Sequence, residues 1–304
     1  MALLHTHGVA GEGIPHFLRE VVLGGVLDTL KLIPFLFLTY LLMEYIEHRA
    51  EEKAERFMSR AGSLGPLIGG TLGAVPQCGF SAAAANLYAG RVITVGTLIA
   101  VFLSTSDEML PILIAGSIPI GSVILIVLYK SAVGILVGFT VDAVTRAMLK
   151  NKEKINIDAI CDEDNCHCER GILHSAIHHT VTITLFVLLV TLAINSLVFF
   201  VGEERLGAVM YDKPFISHII ASVVGLIPNC AASVVLASLF SGGMITAGTM
   251  MSGLFSGAGV GLLVLFRVNR RVRDNLIITL VLVGVGVIFG LLADFIFPAA
   301  LFAA

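Results

Sequence analysis

The sequence predicts an all-helical polytopic membrane protein built from two similar halves of opposite orientation. Of its 304 residues, 57% are hydrophobic and only 13% are charged, which is more apolar surface than a soluble core can bury. Several apolar runs, such as 118–139 and 276–297, are long enough to cross about 30 Å of hydrocarbon as helices. Because these runs lack the alternation of transmembrane β-strands, we expect helices throughout.

An internal repeat relates the two halves. A shift of 152 residues places 73–81 on 225–233, so that Pro-Gln-Cys at 76–78 meets Pro-Asn-Cys at 228–230. The register continues without a gap as far as Asp142 and Asp294. Each half then contains four apolar segments, which are 20–46, 63–89, 92–115 and 118–146 in the first half and 176–200, 215–241, 244–266 and 276–302 in the second.

The distribution of basic residues predicts how these segments cross the membrane. Short loops rich in Lys and Arg stay in the cytoplasm. If segments 63–89 and 215–241 enter and leave on one face, fourteen basic residues become cytoplasmic, and only Arg19, Arg205 and Lys213 face outward. If every segment crossed completely, a large basic cluster would lie outside. Three crossings per half follow, and two halves with an odd number of crossings form an inverted repeat.

A proline interrupts each of the two returning segments. Pro76 and Pro228 remove a backbone donor in mid-segment, so both helices should break there and form re-entrant hairpins. The hairpin tips would enter from opposite faces and meet near mid-membrane. Broken helices at matching positions of inverted repeats point to the substrate site of a transporter. The alternative is a proline kink in an ordinary span.

This topology sets the expected domain boundaries and location. We expect an extracytoplasmic segment at 1–19, a first repeat at 20–146, a cytoplasmic Cys/His-rich linker at 147–175 and a second repeat at 176–304. Both termini would be extracytoplasmic in a bacterial-type inner membrane. Because residues 1–18 contain no Lys or Arg, no cleavable signal is expected.

Amide, thiol and hydroxyl side chains cluster around both predicted tips. Thiols favour soft or borderline metals and metalloids, whereas amide and hydroxyl oxygens suit harder ions such as Mn(II). The alternatives are that each Cys is a small buried apolar residue and that Asn86 makes an interhelical hydrogen bond. The predicted substrate-binding set is Gln77, Cys78, Ser81, Asn86, Asn229, Cys230 and Ser233, with Cys78 and Cys230 as metal ligands.

Two acids interrupt the third apolar segment of the first half. A charged acid in mid-membrane costs roughly 2.5–3.5 kcal/mol on insertion scales, so Asp107 and Glu108 indicate an ion or proton pathway. We expect them to bind the metal or to couple transport to a proton, with sodium as the other coupling ion considered. Lys130, deep in the fourth segment, is their expected partner. The alternative is an ion pair that fixes packing, and Asp142 and Asp294 are assigned to capping or packing.

The linker contains a short tract rich in Cys and His. Such compositions are typical of metal binding, although this spacing is not that of a defined tetrahedral zinc site. A flexible linker with incidental thiols is the alternative. The predicted metal-contacting residues are Cys161, Cys166, His167 and Cys168.

Motifs for several other functions are missing from the sequence. It has no Walker-type phosphate loop, His-Glu-x-x-His helix or Gly-x-Ser-x-Gly elbow, so neither an enzyme nor a cofactor is expected. It has no basic face for nucleic acid. The expected partners are lipid, a metal or metalloid ion and a coupling ion, and a homodimer is left open.

Four motifs resemble those of a known family: Pro-Gln-Cys-Gly-Phe-Ser at 76–81, Ser-Thr-Ser-Asp-Glu-Met-Leu-Pro at 104–111, Ile-Pro-Asn-Cys-Ala-Ala-Ser at 227–233 and a Gly-rich stretch at 257–269. They are similar to the ten-helix heavy-metal exporters, whose members are labelled arsenic efflux proteins or manganese transporters. The resemblance implies export of a metal or metalloid. Counting each hairpin as two half-helices gives five pieces per half, which agrees with ten.

The sequence therefore favours a secondary-active exporter of a divalent heavy metal or metalloid that works by proton antiport. The alternatives are an ion channel, or an ion-coupled transporter of a small anion, on the same scaffold.

Overall fold

A computed structural model describes most of the predicted membrane segments. The ranges described are 64–74, 78–105, 109–115, 118–148, 172–201, 214–228 and 230–297, with parts of 22–41. Every regular element within 64–297 that is described is a helix, which confirms the all-helical class. The first half contributes α1 (Gly65–Gly73), α2 (Cys78–Ala89), α3 (Val95–Ser104), α4 (Met109–Ala115) and α5 (Ile120–Met148). The second contributes α6 (Ile172–Val201), α7 (Pro214–Gly225), α8 (Cys230–Ser241), α9 (Ala247–Ser256), α10 (Val260–Val268) and α11 (Val272–Ile296).

The repeat seen in the sequence is also present in the helix boundaries. The shift of 152 residues carries α2 onto α8 and α3 onto α9 at both ends, and it carries the start of α5 onto the start of α11. Capping residues repeat as well, because Thr94 and Thr246 precede α3 and α9 with closely similar backbone angles. The two halves therefore share one local architecture.

Among the residues described, three helical stretches are long and apolar enough to cross a membrane, and the second of them consists of α9 followed by α10. They are Ile120–Ala147, Ala247–Val268 and Val272–Ile296. The most apolar window of Ala247–Val268 is 89% buried, against 39% and 28% for the other two, so the α9–α10 segment lies at the centre. Large apolar side chains on α5 and α11 are exposed instead, as lipid-facing helices require.

Each half contains a packed triad of helices. Helices α1 and α5 pack on α3, and α7 and α11 pack on α9. Gly65 faces Thr97 while Gly73 faces Ser104, so α1 runs parallel to α3. Small residues permit these close approaches, since a Cβ at Gly138 would lie 2.6 Å from the carbonyl oxygen of Gly96.

The third apolar segment of each half is broken, which the sequence analysis did not predict for 92–115 and 244–266. Helix α3 ends at Ser104 and α4 begins at Met109, while α9 ends at Ser256 and α10 begins at Val260. Gly259 has a φ of 52°, a conformation that favours glycine. In the first half, the hydroxyls of Ser104 and Thr105 bond back to carbonyls one turn earlier, which competes with helix continuation.

The two halves contact each other through their short helices. Helix α2 of the first half packs against α10 of the second, and α8 packs against α4. At the first of these contacts a Cβ on Gly261 would lie 2.7 Å from the backbone and side chain of Ser81. The first turns of α2 and α10 are therefore in direct contact.

The glycine contacts predict a selective effect of added methyl groups. A Cβ on Gly290 would lie 2.8 Å from the carbonyl oxygen of Gly248, whereas one on Gly284 of the same helix meets nothing within 4 Å. We expect Gly290→Ala to lower the free energy of unfolding by about 1–3 kcal/mol. Thermal unfolding of the detergent-purified protein measures the effect. The control Gly284→Ala should be neutral or slightly stabilising, and equal destabilisation by both variants would contradict the packing described.

Candidate functional site

The ends of α1 and α7 lie beside the breaks in the third segments. A Cβ on Gly73, the last residue of α1, would lie 2.8 Å from the carbonyl oxygen of Val101 near the end of α3. A Cβ on Gly225, the last residue of α7, would lie 2.6 Å from Oγ of Ser256 at the end of α9. In each half, therefore, the helix of the second apolar segment and the first helix of the third segment end side by side.

Lys130 connects the two broken segments. Its side chain belongs to α5 and is only 1% exposed. The Nζ atom donates to the carbonyl oxygen of Thr105, the residue after α3, and to that of Leu254 in the last turn of α9, at 3.2 Å. One ammonium group thus lies where α3 of the first half and α9 of the second half both end.

Two of the predicted tip residues stand at the first positions of helices. Cys78 and Cys230 are the first residues of α2 and α8. One turn further on, Ser81 is buried and Ser233 is half-buried. Among the residues described, no three His, Cys, Asp or Glu side chains form a group that could hold a metal. The other predicted ligands, Gln77, Asn229, Asp107, Glu108, Cys161, Cys166, His167 and Cys168, lie outside the described residues.

Asn86 is completely buried in α2. Its Oδ1 accepts a hydrogen bond of 3.1 Å from the hydroxyl of Tyr40, a residue of the first apolar segment. Its Nδ2 meets no hydrogen-bond acceptor in the part of the chain that the structure describes. A buried amide donor without a protein partner is uncommon, because desolvation is costly without a new hydrogen bond.

Asp142 and Asp294 fix the starts of α3 and α9. Thr94 Oγ1 and the Gly96 N–H donate to the carboxylate of Asp142, at 2.7 and 2.9 Å. At the same positions of the second half, Thr246 and Gly248 donate to Asp294 at 3.0 and 2.7 Å. A carboxylate at a helix N-terminus satisfies free amides and complements the helix dipole. The geometry thus favours capping, one of the two roles assigned to these acids from the sequence.

A buried histidine in the second half was missed by the sequence analysis. His218 of α7 is 1% exposed, and its Nε2 lies 3.1 Å from Oδ2 of Asp294. Position 66, which the repeat places opposite 218, holds Pro, so the His–Asp pair has no counterpart at the equivalent position of the first half. A single histidine in an apolar segment does not by itself indicate a functional site. The difference between His218 and Pro66 at equivalent positions of the repeat could have drawn attention to it.

Residues 18–198 match the family model ArsP_2, described as "Putative, 10TM heavy-metal exporter". The chain belongs to this family. The match includes the first repeat, the linker and most of α6, and therefore more than half of the chain. No curated protein and no solved structure matches the chain. Membership places the chain in a family of membrane transporters rather than in an enzyme class, and the family description implies a heavy-metal ion as substrate.

The capping geometry predicts that Asp142 and Asp294 stabilise the fold. Replacing either with Ala should lower the free energy of unfolding by about 1 kcal/mol, and by up to ~2 kcal/mol, because the helix amides lose their acceptor. The control is Asp274→Ala, which removes a weak, partly exposed pair with Arg271 at 3.9 Å. Its effect should stay below about 0.5 kcal/mol. Thermal unfolding in detergent tests this order, and an equal loss at all three positions would contradict it.

Proposed function

We propose that the protein is a secondary-active exporter of a divalent heavy metal or metalloid ion, driven by proton antiport. Its substrate site would lie where the two hairpin tips meet. The observation that supports this most is the convergence of the ends of α1, α3, α7 and α9, with the ammonium of Lys130 reaching both third segments. Broken helices that converge from two repeats are the usual setting of a transporter site.

The helix lengths support re-entrant hairpins. Helices α1 and α2 have 9 and 12 residues, about 14 and 18 Å at 1.5 Å per residue, and neither reaches the ~30 Å of hydrocarbon. Helix α1 runs parallel to α3, and the chain returns through α2 to the start of α3. The segment 63–89 would therefore leave on the face by which it entered, and α7 with α8 repeats the arrangement.

Packing between the halves supports their inverted orientation. The first turns of α2 and α10 touch, and the two helices pack together. Arg91 beyond α2 and Arg267 in the last turn of α10 would then lie at one face, as expected for cytoplasmic basic residues. Helix α3 starts near that face while α9 leads toward it, so the two third segments would run in opposite directions.

The tip residues would supply the ligands. Cys78 and Cys230 begin the two returning arms, with Ser81 and Ser233 one turn on, so Gln77 and Asn229 stand beside the thiols in sequence. Sulfur ligands select soft or borderline ions, and amide and hydroxyl oxygens add harder ligands. The Nδ2 of Asn86, which meets no acceptor among the residues described, would donate to an oxygen of a hydrated or oxygen-bearing substrate.

Asp107 and Glu108 would handle the metal and the coupling proton. They follow Thr105, whose carbonyl oxygen accepts from Lys130, so the acids stand close in sequence to a buried ammonium. An ammonium there would offset part of their charge in the low-dielectric interior. The linker thiols Cys161, Cys166 and Cys168, with His167, would capture metal on the cytoplasmic face.

Transport by purified variants in proteoliposomes tests the proposal. With Mn, Zn, Fe, Co or arsenite and an imposed pH gradient, the wild-type protein should move one of these ions against its gradient. Cys78→Ser and Asp107→Asn should each lower transport on the order of tenfold or more, since even the loss of an outer-shell partner costs 10–100-fold. The matched control Cys161→Ser keeps the tip thiols and should retain most activity when metal is abundant.

Other outcomes would contradict particular parts of the proposal. A gated channel would tolerate Asp107→Asn and would dissipate gradients without using protons. Transport of an organic anion that does not depend on any metal tested would contradict a heavy-metal or metalloid substrate.

A further inference from the structure

Lys130 breaks the symmetry of the repeat at a deeply buried position. The equivalent residue of the second half is Leu282, which is also completely buried. A lysine side chain placed in mid-membrane usually reaches toward water, because a desolvated ammonium is costly. Lys130 instead ends inside the protein, with its Nζ atom against backbone carbonyl oxygens of both halves.

Both carbonyl groups have been released from helical hydrogen bonding. Thr105 follows α3 with φ −54° and ψ 128°, so its carbonyl has left the helix. In a continuous helix the N–H of Ala258 would donate to Leu254, but here it donates to Ser256 at 3.0 Å. The C-terminal end of a helix carries the equivalent of about half a negative charge, and two such ends meet at this ammonium.

We propose that these released carbonyls form a monovalent-cation site, which Lys130 occupies with its own ammonium group. Carbonyl oxygens at helix ends are the ligands by which interrupted membrane helices coordinate small hard cations such as sodium. A tethered cation satisfies the same oxygens without an ion from solution. If the proposed export function holds, on which this consequence rests, sodium has no place in the transport cycle at this position.

The neighbouring residue keeps the ammonium in place. The hydroxyl of Tyr129 donates to the carbonyl oxygen of Phe289 in α11 at 2.8 Å. Its ring also packs edge-on against Phe255 and Phe297, with centroids 5.9 and 5.3 Å away. These contacts attach this turn of α5 to the second half, so the Lys130 side chain reaches the carbonyls from a fixed position.

Removing the lysine side chain should open the site to a free cation. We expect Lys130→Ala to unfold several degrees below wild type in choline chloride and to recover part of this loss, saturably, in sodium or potassium chloride of equal ionic strength. Ethylammonium, which resembles the end of the missing side chain, should also restore stability. The wild-type protein should unfold at one temperature in all these salts. Differential scanning fluorimetry of the full-length protein in detergent gives the readout.

Leu282→Ala provides the matched control, because it removes an equally buried side chain at the repeat-equivalent position. It should be destabilised without any response to sodium or potassium. A Lys130→Ala protein equally stable in every salt, or a control that recovers as strongly, would overturn the proposal. If Lys130→Ala cannot be purified, Lys130→Ser is measured in the same salts with the same two outcomes. Because this experiment measures stability, its outcome does not depend on whether the protein is found to transport an ion.

Discussion

An interrupted helix inside a membrane must find new hydrogen-bond partners for the backbone groups that the interruption releases, because lipid supplies none. The structure meets this requirement by packing the interruptions against one another. The hydroxyl of Ser256 donates to the carbonyl oxygen of Ser222 at 2.7 Å and so joins the ends of α9 and α7. The Nζ atom of Lys130 donates hydrogen bonds to backbone carbonyl oxygens of both halves. Helices whose ends are joined by such hydrogen bonds must approach each other closely, and glycines at their contacts permit this approach.

The scaffold is repeated, but its chemistry is not. The boundaries of α2 and α3 match those of α8 and α9, and the capping aspartates also agree between the halves, whereas several polar residues in the interior differ. Lys130 corresponds to Leu282, His218 to Pro66, and Asp107 to Gly259. A site between the two halves, as proposed, would therefore be lined unequally. Such an asymmetric lining would let one half carry charge while the other supplies shape, as the proposed binding and release of an ion would require.

The sequence was informative about features that depend on composition and on the repeat. It predicted the helical class and the family, because apolar length and recurring motifs are local properties. It did not predict the breaks within 92–115 and 244–266, since a few polar or glycine residues in an apolar run do not by themselves end a helix. The His218–Asp294 contact joins residues far apart in the chain and could not be recognised from local pattern. Which carbonyl oxygens without a helical hydrogen bond lie within reach of Lys130 depends on tertiary packing, so the sequence alone does not show it.

The proposed function requires the two hairpin tips to meet at one place between the halves. Replacing Cys161, Cys166 and Cys168 with Ser leaves Cys78 and Cys230 as the only thiols of the chain. A protease site introduced into the linker then allows the halves to be separated after treatment with a short thiol cross-linker. The proposed meeting of the tips predicts that the cleaved halves remain joined on a denaturing gel, and that a further Cys230→Ser change releases them. Halves that separate completely after efficient labelling of both thiols would contradict it.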